Sequence, residues 1–211
     1  MGQGAETMTV ESDLELILRH EKELVFERFG PETAWDLGNR LREAALARQA
    51  PVGIDIQLAT HPLFFTALPG SSADNVDWMR RKRNVVLRFA HASYWLGREL
   101  ARLQTTLEEK FALDQKDFAP HGGGFPITLA GTGVVGAICV SGLPQRQDHG
   151  LIVEVLARFL GRDPTPLLAM RQHPLAAGPF FDRWLQLVEG DPTPPRSTVA
   201  HSTHCHSSIW R

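Results

Sequence analysis

The chain has 211 residues, a formal net charge of -2, 43% hydrophobic and 22% charged residues, which suits one domain with extras or two small ones. Near-neutral balance argues against a nucleic-acid partner held through bulk charge, and no apolar run is long enough to span a bilayer. The first residues have neither the basic start nor the apolar stretch of a secretory signal. The two cysteines, Cys139 in an apolar run and Cys205 near the end, give no disulfide framework, so a cytoplasmic protein is expected.

Ser12-Asp13-Leu14-Glu15 has the form of a capping box, with Leu14, Ile17, Leu18, Leu24 and Val25 following at helical spacing as far as Gly30-Pro31. Thr33 can cap a second helix whose inner face carries Leu37, Leu41 and Ala45. From Val52 to Leu58 apolar and polar residues alternate, the pattern of a half-buried strand with Asp55 on its polar face. A turn over 59–62 and a strand over 63–68 complete a hairpin. Ser71 or Ser72 then caps one long helix over 73–111, kinked near Gly97. Trp78, Val85, Phe89, Ala92 and Leu96 form its apolar stripe. Asp74, Asp77, Arg81, Asn84, Arg88 and His91 line a polar one.

Two glycine-rich turns, His121-Gly122-Gly123-Gly124 and Gly131-Thr132-Gly133, introduce strands over 125–130 and 134–141, and a helix over 148–160 follows. From residue 33 the order is α-β-β-α-β-β-α with no βαβ alternation, so the fold class expected is mixed α/β of the α+β kind, an antiparallel sheet with helices on its faces. The expected organisation is an N-terminal helix over 1–30, a domain over 31–162 and a C-terminal extension over 163–211. In that extension Phe180, Phe181, Trp184, Leu185 and Val188 suggest one short helix, and Pro, Ser, Thr and His dominate a disordered tail from Asp191.

Four features could carry chemistry. Gly122, Gly123 and Gly124 could present backbone N–H groups and His121 to a ligand, or merely make tight turns. His121 and His149 suit acid–base or ligand chemistry near neutral pH, or are ordinary histidines. The stripe with Arg81, Asn84, Arg88 and His91 fits a small anionic ligand or a subunit contact, or is a run of exposed ion pairs. Asp55 is a general base, an arginine partner or a solvated strand carboxylate. His201, His204, Cys205 and His206 have metal-ligand chemistry but lack a second cluster, so no metal site is expected. No nucleophile elbow, zinc-protease helix or dinucleotide fingerprint is present.

Three ordered segments are more specific. Asp74 to Val86, Arg88 to Ser93, and His121 to Ile127 continued by Gly133 to Pro144 and Asp148-His149 resemble a bacterial and fungal branch of the haem-degrading-domain family. The similarity covers roughly residues 33–160. It implies a profilin-like fold, symmetric homo-oligomers and haem or iron binding, and the shared glycine motifs map onto Gly123 to Ile127 and Val140 to Gly142. Three functions stay open: a small-molecule-binding protein with its site near Asp55, Arg81, Arg88, His91, His121 and the glycine turns; an oligomeric scaffold without catalysis; and an enzyme using His121 or His149 with Asp55.

Overall fold

The structure, a computed structural model, describes residues 9–168. The expected helix within 180–188, the tail from Asp191 and the histidine-rich cluster lie outside the described residues. The elements are α1 (Val10–Glu23), α2 (Pro31–Ala47), β1 (Gly53–Leu58), β2 (His61–Ala67), α3 (Ala73–Phe89), α4 (Ser93–Arg102), α5 (Leu107–Phe111), β3 (Gly124–Leu129), β4 (Gly133–Ser141) and α6 (Gln145–Phe159). The strands form one antiparallel sheet in the order β2-β1-β4-β3. This is the mixed α+β architecture the sequence predicts.

Alternation along the strands sorts the side chains between two layers. Ile54 and Ile56 of β1 pair with Val140 and Ile138 of β4. Together with Phe125 and Ile127 of β3 they enter a core that includes Ile17 of α1, Leu37 and Leu41 of α2, and Ile152 and Leu156 of α6. Each such buried side chain contributes about 1.5–3 kcal/mol. The opposite face is built from small residues, Gly53, Ala137, Cys139 and Gly124. Met79 and Val86 of α3 pack there on Ala137 and Cys139. β1 is therefore buried on both faces through Ile56 rather than half-buried, because α3 covers the side that alternation assigns to solvent.

The single long helix expected over 73–111 is three helices. Ala90 ends α3 in the left-handed conformation, at φ 56°. Glu21 of α1 then caps α4, its Oε1 accepting from the Ala92 N–H at 2.6 Å. Gln104 turns left-handed after α4, and Thr106 with Glu109 makes a capping box for α5. The start of α1 also moves: Thr9, not Ser12, is its cap, accepting from the Ser12 N–H at 3.2 Å. Pro31 occupies the first turn of α2 instead of closing α1, a position where its missing N–H costs nothing.

Candidate functional site

The polar stripe of α3 holds the segment that delivers the glycine loop. Asn84 Nδ2 donates to the Asp117 carbonyl at 2.8 Å. Arg80 donates to the Lys116 carbonyl at 2.7 Å and to the Asp117 carboxylate at 3.1 Å. Arg81 reaches the Gln115 carbonyl at 3.4 Å while its Nε donates to Asp77 at 2.7 Å. Two glycines then admit backbone where a Cβ would collide: Gly97 of α4 against the Pro120 carbonyl, and Gly122 against the Gln145 carbonyl at the start of α6.

His121 emerges from this frame as an exposed residue. Its ring centroid lies 5.3 Å from that of Trp78, edge to face, and the Arg81 guanidinium stands 4.1 Å from the Trp78 ring centre on α3. Loss of water on its packed side holds the imidazole below its ordinary pKa, and the charges of Lys82, Arg81 and Arg98 push it the same way. His121 is thus a neutral imidazole among cations, with a lone pair available to an electrophile or a metal.

Beneath the loop is a buried ion pair. Lys82 Nζ lies 2.9 Å from Asp148 Oδ2 and 3.0 Å from the Val140 carbonyl, with both side chains almost fully enclosed. Asp148 Oδ1 accepts from the Leu143 N–H at 3.0 Å. Burial pushes the Asp148 carboxyl up to about 6, against the pull of Lys82. Gly123 walls this pair, while Gly124 packs against the Lys82 backbone carbonyl and Val86, and Ser93 ties Gly124 in by accepting from its N–H at 2.9 Å. The triple glycine is therefore a close-approach device as well as a turn.

Asp55 faces a separate cleft of ≈ 380 Å³ between α3 and the β1–β2 hairpin, which Phe65, Val76, Met79 and Arg83 also line. The side chain is buried, against the expectation of a solvated carboxylate. Arg83 donates to its Oδ2 at 2.5 Å and Gln57 to its Oδ1 at 3.0 Å. Burial raises its pKa, and these two partners oppose the shift.

The remaining candidates stand elsewhere. Arg88 is exposed, with no ion pair among the described residues. His91 stacks on Trp95, ring centroids 4.0 Å apart, and its Nδ1 is 2.6 Å from Glu21, whose hydrogen bond raises its pKa. His149 is in the core, with Tyr94 and Phe125 around it. A carbonyl only accepts, so His20 Nε2–H donates to the Leu167 carbonyl at 2.8 Å. His20 Nδ1 is then the acceptor for His149 Nε2–H at 3.1 Å, and His149 Nδ1 is left as a buried atom without a partner. A second proton on His20 would break its bond from His149, and one on His149 would be a buried charge without a partner. Burial lowers the pKa of His20 to about 4 and that of His149 well below 6.5.

The sign of the resulting pH dependence follows. Both imidazoles bind protons more weakly folded than unfolded, so their contribution is complete above about pH 6.5 and is lost as pH falls toward 4. Between pH 7 and pH 5 each costs about 2 kcal/mol. Urea midpoints of the wild type and the His20→Gln/His149→Gln variant at the two pH values measure this. The wild type should lose more stability than the variant on acidification, and equal losses would refute the arrangement.

Sequence reasoning missed Lys82, Trp78 and Glu21 as organising residues. Lys82 had a signal: it lies three residues after Met79 and four before Val86, on the face of α3 that turns inward. The apolar stripe drawn through Trp78 and Phe89 is rotated from that face.

Among known proteins, the family described as haem degrading protein HbpS-like matches residues 29–157. The UPF0303 protein of Rhizobium etli is 50% identical over 156 residues, which are 74% of this chain and 94% of the relative. That of Serratia proteamaculans is 47% identical over 154 residues, 73% and 96%. Of solved structures, the Ybr137w protein is 36% identical with a TM-score of 0.66, covering 70% of this chain and 87% of its own. HbpS, at 18% identity and a TM-score of 0.51 over 77% and 99%, shares the fold.

Proposed function

The chain belongs to the HbpS-like family of haem degrading proteins, and on that premise we propose that it binds a haem-type small molecule at the His121 loop. The observation that carries this reading is the neutral imidazole of His121, an exposed residue, edge-on to the Trp78 ring that also carries the Arg81 guanidinium. An iron porphyrin is held by an axial donor free to reach the metal, for which a neutral imidazole serves, an aromatic or apolar wall, and cations for its propionates. The residues around the loop meet those needs. His121 would ligate the iron, the Trp78 indole would wall the macrocycle, and Arg81 would take a carboxylate. His91 and His149 have no such freedom, the first bound to Glu21 and the second enclosed beside His20. The bound group would supply redox chemistry at its metal. The protein's own part is to keep His121 unprotonated and to hold the loop rigid through the Asn84 and Arg80 bonds.

The test is a haemin titration of the full chain followed at the Soret band. A saturable shift is expected, and His121→Ala should weaken it at least about 10-fold, the loss of one metal–ligand or charge-assisted contact. No saturable shift, or one that His121→Ala leaves intact, removes the reading. Light scattering on the same sample tests its accompanying part, self-association. β2 has no strand partner on its outer side among the described residues, and Trp35, Phe65 and Val76 are 59%, 53% and 49% exposed. A monomer at micromolar concentration removes that part.

A further inference from the structure

The cleft between α3 and the β1–β2 hairpin combines two features that the His121 site does not use. The first is an enclosed ion pair. Asp55 and Arg83 lie 2.5 Å apart, their side chains 4% and 18% exposed, and both line the cleft of ≈ 380 Å³. A buried ion pair stabilises a fold no more than a well-packed apolar pair, so stability alone does not account for it. The second is an apolar mouth, because the far more exposed Phe65 and Val76 line the same cleft. Sheet register joins the two features. Asp55 stands directly opposite Phe65 across β1 and β2, so their side chains share a face. Val76, Met79 and Arg83, three and four residues apart on α3, form the other wall. Gly53, two residues before Asp55 on that face, lets Met79 approach the sheet where a Cβ would collide.

The polar end of the cleft has bonding capacity left over. Arg83 donates to Asp55 Oδ2 and Gln57 to Asp55 Oδ1. Each carboxylate oxygen can accept twice, so Asp55 keeps two acceptor positions. The Arg83 side chain has five N–H groups, and its bond among the described residues is the one to Asp55. An occupant therefore meets an acceptor and a donor side by side. The charges around it cancel. Asp55 is closed on Arg83 at 2.5 Å, and at the rim Asp77 is closed on Arg80 at 2.9 Å. A cation would meet a guanidinium beside each carboxylate, and an anion the reverse, so a neutral molecule loses least on leaving water. The Phe65 ring and the planar guanidinium both suit a flat body, and the volume is that of a small-molecule site. We propose that this cleft binds a small neutral heteroaromatic lactam, its N–H donating to Asp55, its carbonyl accepting from Arg83 and its ring packing on Phe65 and Val76. This inference does not rest on the haem reading.

The full chain is titrated at pH 7 with four two-ring probes: the lactam isocarbostyril, its N-methyl derivative, naphthoate and the N-methylisoquinolinium cation. Calorimetry gives affinity, and the ¹H–¹³C signals of the Val76 methyls and the Met79 ε-methyl report the place. Isocarbostyril should bind saturably and move those signals. The N-methyl derivative, which leaves Asp55 without its donor, should bind at least about 10-fold more weakly, and neither charged probe should exceed it. Phe65→Ala should weaken isocarbostyril about 5-fold or more through loss of the ring face, while leaving the haemin titration unchanged. Equal binding of isocarbostyril and its N-methyl derivative overturns the proposal, and so does tighter binding of either ion. Methyl signals that no probe moves overturn it as well, the result expected if a second copy of the chain covers Phe65 and Val76. The wild-type comparison decides even if the variant does not fold.

Discussion

Lys82→Met is expected to cost the fold about 3–5 kcal/mol, read as a lowered urea midpoint at pH 7. Lys82 and Asp148 are both almost fully enclosed, at 2.9 Å. Removing the cation leaves a carboxylate in the interior, and also strips the Val140 carbonyl of its donor. The variant carries its own pH signature. Burial already pushes Asp148 up to about 6 with Lys82 present. A carboxyl whose folded pKa exceeds its unfolded value gains stability as pH falls, so the penalty of Lys82→Met should shrink between pH 7 and pH 5. Adding Asp148→Leu should recover most of the loss at pH 7, since an apolar pair of similar volume replaces the ions. A single variant losing under about 1 kcal/mol would mean that the pair is hydrated.

Gly123→Ala should be comparably damaging, at about 3 kcal/mol or more. Gly123 has φ 110°, where an L side chain is strained, and an added Cβ would strike the Val140 carbonyl, the Asp148 side chain and Lys82 Nζ. The carbonyl belongs to the sheet and has no room to retreat, because the Val140 N–H donates back to the Gly123 carbonyl at 2.7 Å. Gly131→Ala is the control. Gly131 also has positive φ, at 72°, but nothing lies within 4 Å of its Cβ position, so only the backbone term of about 1 kcal/mol remains. Thermal melts of the two variants side by side separate conformation from collision. Equal effects would show that Gly123 serves the turn alone.

What the sequence revealed of this fold is what depends on local pattern. The existence of β1 from its alternation, though not its burial on both faces, the glycine turns before β3 and β4 and the apolar spacing of α6 all read correctly. The breaks between α3, α4 and α5 did not, because Ala90 and Gln104 take left-handed conformations that glycine normally marks. One local sign was present, the Thr106–Glu109 capping box. The site was less legible for a different reason. Helical periodicity placed Arg81, Asn84 and Arg88 on one stripe, but whether such a stripe meets solvent, a ligand or its own chain depends on where a loop 33 residues after Asn84 returns. The burial of Asp55 likewise depends on α3, which no period within β1 foretells.

The hydrogen bond from His20 to Leu167 spans 147 positions. Closing a loop of that length in a free chain costs about 4 kcal/mol of entropy, more than one neutral hydrogen bond returns. The bond is therefore a product of folding and not a driver of it, available once the sheet and α6 have already brought α1 and the 164–167 turn together. It makes the domain a closed ring in space, fastened at a seam between its first helix and its last turn. Acid, which protonates the histidine pair there, acts at that seam.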